Sequence, residues 1–155
     1  MKEYILQTLM GAIGAIGFAT LFNVHGKRMI LFFVGGALDW AVYLLCVHNG
    51  LNSFIGLFLA TSTAAFASEV LARVIHTPVL ILLVPMLIPL IPGGSLYYSM
   101  DALIRSDKNG FLTHGSAAIT SAGAICLGII CVTTIMHILF SVIDHIKPRK
   151  TQSIE

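Results

Sequence analysis

Charge is what this sequence has least of. Only 10% of its 155 residues are Asp, Glu, Lys or Arg, against about 25% in ordinary soluble domains. So few charges cannot cover the surface of a soluble domain of this length. Soluble folds are therefore excluded, nucleic-acid binders with basic faces among them. A polar linker, a low-complexity tract and a separate soluble domain are also missing. So are the residue groups that carry catalysis: there is no nucleophile motif, no phosphate loop and no His/Cys cluster at metal-ligand spacing. The chain is expected to be no enzyme and to hold neither metal nor cofactor. Its 3 cysteines, Cys46, Cys126 and Cys131, fall in apolar stretches and read as small hydrophobes. Alternation in segments of about ten residues, the mark of a membrane β-barrel, is absent as well.

What is present is continuous apolar sequence, 57% of the chain, with a mean hydropathy of +0.91. The class is an all-α integral membrane protein. A helix needs roughly 20 apolar residues to cross a hydrocarbon core of about 30 Å. Spans are expected from Tyr4 to Phe22, Met29 to Val47, Ser53 to Ile75, Thr77 to Ile104, and Thr113 to Ile143. Together they form one transmembrane domain over residues 1–155, ending in a basic cytoplasmic tail, 144–155. The first span is longer than the 7–15 residues typical of a signal-peptide core and more spans follow, so it reads as retained.

Lys and Arg set the orientation. With five crossings, one side carries Lys27, Arg28, Arg73, Lys147, Arg149 and Lys150, and the other Lys2, Arg105 and Lys108. The richer side is expected to be cytoplasmic, which puts the N-terminus outside a bacterial inner membrane and the C-terminus inside.

Polar residues within spans carry the functional signal. Gly35, Asp39 and Tyr43 share a face of the second span; Thr61, Ala65, Glu69 and Arg73 share one of the third, with Ser62 and Ser68 beside it; Ser116, Thr120, Ala124 and Gly128 follow the same spacing in the last. These stripes are expected to face helices or water rather than lipid. An ionisable group inside a membrane costs about 2.5–3.5 kcal/mol on insertion scales and usually marks a pathway. Asp39, near the middle of its span, reads either as a buried carboxyl that holds helices together or as an ion-coupling group. Glu69 and Arg73 read either as an i,i+4 pair with Arg73 snorkelling, or as a proton-exchanging carboxylate beside an arginine that meets a substrate carboxylate. "GAIGAIG", Gly11 to Gly17, reads as a helix-packing ridge.

The fourth span is the unusual one. Pro85, Pro89 and Pro92 precede Gly93 and Gly94, and Ser95, Tyr97 and Tyr98 follow. Proline removes a backbone donor and clashes one turn back, while glycine frees the chain to leave helical geometry. As one helix, Thr77 to Ile104 would be about 42 Å long, more than a crossing needs. The span is therefore expected to break at Pro-Gly-Gly. Broken backbone at membrane depth persists only where protein or a water-filled cavity satisfies it, and transporters use such breaks as ligands. Pro92, Gly93, Gly94, Ser95, Tyr97 and Tyr98 are accordingly candidate substrate-binding residues with Arg73, and Asp39 and Glu69 are candidates for ion coupling. The alternative is a sharp turn between short helices at the membrane surface.

"SEVLARVIHTPVLILLVPMLIPLIPGGSLYYSM", Ser68 to Met100, resembles the signature of the threonine/serine exporter family. The likeness rests on a Glu and Arg closing one helix, a Pro opening the next, and "PLIPGG" followed by Tyr. Length and span order resemble the short membrane subunit of its two-subunit members. The resemblance implies a secondary exporter of small carboxylates, threonine and serine or succinate-like dicarboxylates, driven by an ion gradient. It also implies a partner: a second, longer membrane subunit of the same family, self-association, or both. Two alternatives belong to other classes. A non-transporting scaffold subunit would tolerate changes in the polar stripes; a passive channel would never move solute against its gradient.

Overall fold

The computed structural model describes residues 2–146, with side chains to residue 143; the expected tail lies almost wholly outside them. Helix α1 runs from Lys2 to Leu21, α2 from Met29 to His48, α3 from Ser53 to Ile75, α4 from Val79 to Leu87, α5 from Gly93 to Ile104 and α6 from Lys108 to Ile146. Short 3-10 turns precede α2 (Gly26–Arg28) and follow α4 (Ile88–Leu90). Local chemistry sets these limits. α1 gives way to Asn23 and Gly26, both at positive φ, a region that glycine enters freely and that Asn tolerates. Asn52 caps α3, its side chain accepting the Phe54 N–H at 3.3 Å. Asp107 does the same for α6, accepting the Gly110 N–H at 3.1 Å.

Among the described residues four helices are long and apolar enough to cross a membrane, and α4 with its 3-10 turn, bent by 57° from α5, passes the same test together with α5 as a candidate fifth span. The fourth span is therefore broken at Pro92-Gly93-Gly94. The three prolines share the work. Pro85 sits inside α4, Pro89 tightens the last turn to 3-10, and Pro92 is the cap residue of α5, following the extended Ile91.

Packing follows the small residues. A Cβ on Gly36 would stand 2.6 Å from Ala15 Cβ and 3.1 Å from the Gly11 carbonyl oxygen, so α1 and α2 touch nearly backbone to backbone. Gly14 lies against Pro89, while Gly17 faces open space; two of the three ridge glycines are used. α3 is the central helix, touching α2, α4 and α6, and α4 lies across α1, α2 and α3. Met86 of α4, fully buried, fills the space over Gly35 and accepts the Ser68 hydroxyl at 3.7 Å on its sulfur. α3 and α6 run parallel, since Thr61 meets Gly128 and Arg73 meets Phe140. α5 packs antiparallel on the start of α6, with Tyr98 against His114 and Ala102 near Gly110.

α6 departs from expectation at both ends of its stripe. It starts at Lys108, before the expected Thr113, and as a helix of about 58 Å exceeds a bilayer core. Hydropathy registers only the part that lipid would cover. The row Ser116, Thr120, Ala124 and Gly128 does not keep one environment: the first two are exposed and the last two buried. Steps of four advance about 40° on a helix of 3.6 residues per turn, so the row winds from the outer surface into the bundle.

Candidate functional site

α2 descends through the bundle with Phe32, Gly35, Gly36 and Asp39 on its buried side, and the exposed Arg28 stands just before its first turn. Asp39 is 1% exposed, and neither carboxylate oxygen has a hydrogen-bond partner among the described residues. The Trp40 Nε1 and the Thr61 hydroxyl are buried and unpartnered in the same way. Antiparallel register brings them to one height: Gly56 of α3 abuts Tyr43 and Cys46 of α2, so Thr61 lies about level with Asp39. Buried polar groups are ordinarily satisfied, because an unpaired one costs about 1–3 kcal/mol and a carboxylate more. An orphaned carboxyl at mid-span makes no contribution to packing that an apolar side chain could not better.

Above Asp39 lies an apolar layer, and above that a polar mouth. Phe32, Leu82 and Met86 are buried in one cluster with Ala15, Ala19 and Ala72. Over Phe32 and Leu82 opens a cavity of about 450 Å³ whose polar lining is Asn23, His25, Arg28 and Thr77. Arg28 stands about 16 Å along α2 from Asp39. Sequence reasoning missed this mouth. Its residues come from the α1–α2 loop, the start of α2 and the α3–α4 loop, and only the charge of "HGKR" was visible as an orientation signal.

Glu69 and Arg73 lie on the same end as the mouth, about 12 Å and more along α3 beyond Thr61. The Arg73 guanidinium is bonded to the Glu69 carboxylate and to the Glu69 carbonyl oxygen at 3.0 Å. It also lies 3.6 Å from the centroid of Phe140 on α6. Glu69 is nearly buried while Arg73 keeps more than a third of its side chain exposed; i,i+4 pairs open to solvent contribute about 0.2–1 kcal/mol, and stacking on the ring adds a comparable amount. Both contacts hold Arg73 at the α3–α6 seam.

The broken backbone lies apart from these groups. Gly93 and Gly94 are exposed, and a Cβ on either would meet nothing within 4 Å. Ser95 is half-buried; Tyr97 and Tyr98 are exposed, edge-on to each other. The N–H groups of Gly94 and Ser95, in the first turn of α5, have no intrahelical acceptor. The chain thus holds two separate candidate regions, Asp39 with the mouth above it, and the α5 start on the outer surface. Since both glycines have space and neither sits at positive φ, Gly93→Ala and Gly94→Ala are expected to leave thermal stability in detergent unchanged or raised by up to about 1 kcal/mol. Loss of folded protein would show that these backbones are strained. No group of three or more His, Cys, Asp and Glu gathers among the described residues.

These features define a class: an all-α multi-pass membrane protein with a broken fourth span and an unpartnered carboxyl inside its bundle. The sequence matches the family described as Threonine/Serine exporter, ThrE, over residues 7–135. The chain belongs to that family, and the motif from Ser68 to Met100 lies within the match. It is also similar to an uncharacterized protein of Haemophilus influenzae, 28% identical over 111 residues, which are 72% of this chain and 37% of that protein. The chain therefore spans little more than a third of that relative's length. No solved structure matches it.

Proposed function

We propose that this chain is a membrane subunit of a secondary exporter for small carboxylates, in which Arg28 receives the substrate and Asp39 couples its movement to an ion. The observation that carries the activity is membership of the exporter family over residues 7–135. The unpartnered Asp39 beneath a polar mouth supports reading the transport path through these groups. The end bearing Lys27, Arg28 and Arg73 faces the cytoplasm of a bacterial inner membrane, as the positive-inside rule requires. A carboxylate leaving the cell first meets the Arg28 guanidinium, whose paired donors match it, with Asn23 and Thr77 beside it. The apolar layer of Phe32, Leu82 and Met86 then separates mouth from mid-span. Its rearrangement would admit the substrate to the level of Asp39 and Thr61. Glu69 relays ions, and Arg73 offers a second carboxylate contact when it leaves Phe140. The α5 start, with Pro92 to Ser95 and the tyrosines, completes the site from its outer side in the assembled protein, which includes a second, longer subunit, further copies of this chain, or both. Threonine and serine are the leading substrates, with succinate-like dicarboxylates as the alternative.

Export of labelled serine, threonine and succinate from cells carrying this chain with its co-encoded partner tests the reading. Arg28→Gln and Arg73→Lys are the informative variants. Removing a charge-assisted contact costs about 1.5–3 kcal/mol, so Arg28→Gln is expected to lower export about tenfold or more at normal membrane abundance. Arg73→Lys keeps the charge but not the fork, and a fall in export assigns it a substrate contact. Full export by both variants would remove the two arginines from the path.

A further inference from the structure

We infer that a second copy of this chain packs against the outer face of α6, with the two α6 helices parallel and closest at Gly123. α6 is the least enclosed span: 17% of its apolar window is buried, against 44% in α3. Among the described elements its main packing partners are α3 and α5. Its outward side nonetheless carries polar residues along the apolar run. Thr120, Thr134, His137 and Ser141 are exposed, and Gly123 and Leu127 lie on the same side. Steps of three and four keep these positions within about a third of the helix circumference. Thr113, Ser116 and Thr133 bond their own helix's carbonyls; Thr120, Thr134 and His137 have no such partner among the described residues. Gly123 adds a bare backbone, and a Cβ there would meet nothing within 4 Å.

Hydrocarbon offers such groups nothing. An exposed imidazole and two free hydroxyls are unsatisfied in lipid, and a mid-helix glycine that packs against nothing costs about 1 kcal/mol relative to alanine. Across a helix–helix contact both features become favourable, since small residues allow close approach and Ser, Thr and His bond between helices. The chemistry suits a copy of itself. Hydroxyl and imidazole groups both donate and accept. From Phe111 to Ile143 there is no Asp, Glu, Lys or Arg to repel its counterpart. Two copies in one membrane are related by an axis along the bilayer normal, so each residue meets its own counterpart at the same height. The inference rests on the assembly part of the proposed function and not on its substrate.

The test is oxidative cross-linking in native membranes of the full chain, with Cys46, Cys126 and Cys131 first replaced by serine or alanine. Gly123→Cys and Thr134→Cys are expected to give a disulfide-linked product of twice the chain mass. Ala122→Cys, exposed but turned away from the row, should give at least several-fold less. Gly123→Leu should shift the mass in mild detergent from two copies to one while the helical circular dichroism is kept. Single-chain mass for both row positions would overturn the inference. So would equal linking at Ala122→Cys, the sign of random collision, or a product of some other mass, the sign of a different chain on this face. None of these outcomes depends on export, so the dimer and the transport activity stand or fall separately.

Discussion

Asp39→Leu is expected to reach the membrane at least as well as the natural protein and to export nothing above background. On insertion scales aspartate at a helix centre costs about 2.5–3.5 kcal/mol, whereas leucine is favourable by about half a kcal/mol. The substitution therefore lowers the cost of insertion by about 3–4 kcal/mol. No hydrogen bond is lost in return, because neither Asp39 oxygen has a partner among the described residues. A carboxyl serving only to hold helices together would behave oppositely, since breaking its contacts would lower both abundance and melting temperature. Asp39→Asn separates shape from charge: it keeps the volume and a hydrogen-bonding group but cannot exchange a proton. It too should abolish ion-coupled export. Abundance by immunoblot, melting temperature in detergent and export of labelled substrate, measured together on both variants, check the prediction. Lower stability with proportionate residual export would make Asp39 a structural residue.

Gly36→Val is expected to have the largest effect on folding. The added Cβ falls 2.6 Å from Ala15 Cβ and 3.1 Å from the Gly11 carbonyl oxygen. Both belong to α1 at its closest approach to α2, so no side-chain rotation relieves the clash and the helices must separate. Overpacking typically costs 1–3 kcal/mol; with backbone as the obstacle the cost should reach about 3 kcal/mol or more, enough to remove most folded protein. Gly17→Ala is the matched control, because a Cβ there meets nothing within 4 Å and alanine favours the helix by about 1 kcal/mol. Folded yield by size-exclusion chromatography should collapse for the first and hold for the second. Equal yields would show that α1 and α2 pack more loosely than the glycines indicate.

Different parts of this protein were legible in its sequence for different reasons. Continuous apolar runs disclosed the spans because a bilayer crossing is a condition on length and composition alone. The break at Pro92-Gly93-Gly94 was equally plain, since proline and glycine act on their own backbone. Asp39 stood out as a carboxyl within an apolar run. What did not show was anything assembled from distant segments. Asn23, His25, Arg28 and Thr77 form one mouth only because α4 folds back across α1, α2 and α3. Phe140 lies under Arg73 only because α3 and α6 run parallel, a direction that hydropathy does not encode. The outward turn of Thr120 and His137 is the same kind of case. Thr120 stood in a stripe expected to face helices or water, yet among the described residues that side of α6 has no neighbour to meet it.

The coupled-exporter reading is tested most directly by efflux from proteoliposomes holding this chain, alone and together with the proposed longer subunit. They would be loaded with labelled serine, threonine or succinate under an imposed pH gradient and compared with Asp39→Asn. The account predicts that one of these carboxylates leaves against its own concentration gradient, and that this uphill movement is lost in the variant. Efflux equal to empty liposomes for all three would contradict it, as would movement that is only downhill and unaffected by Asp39→Asn.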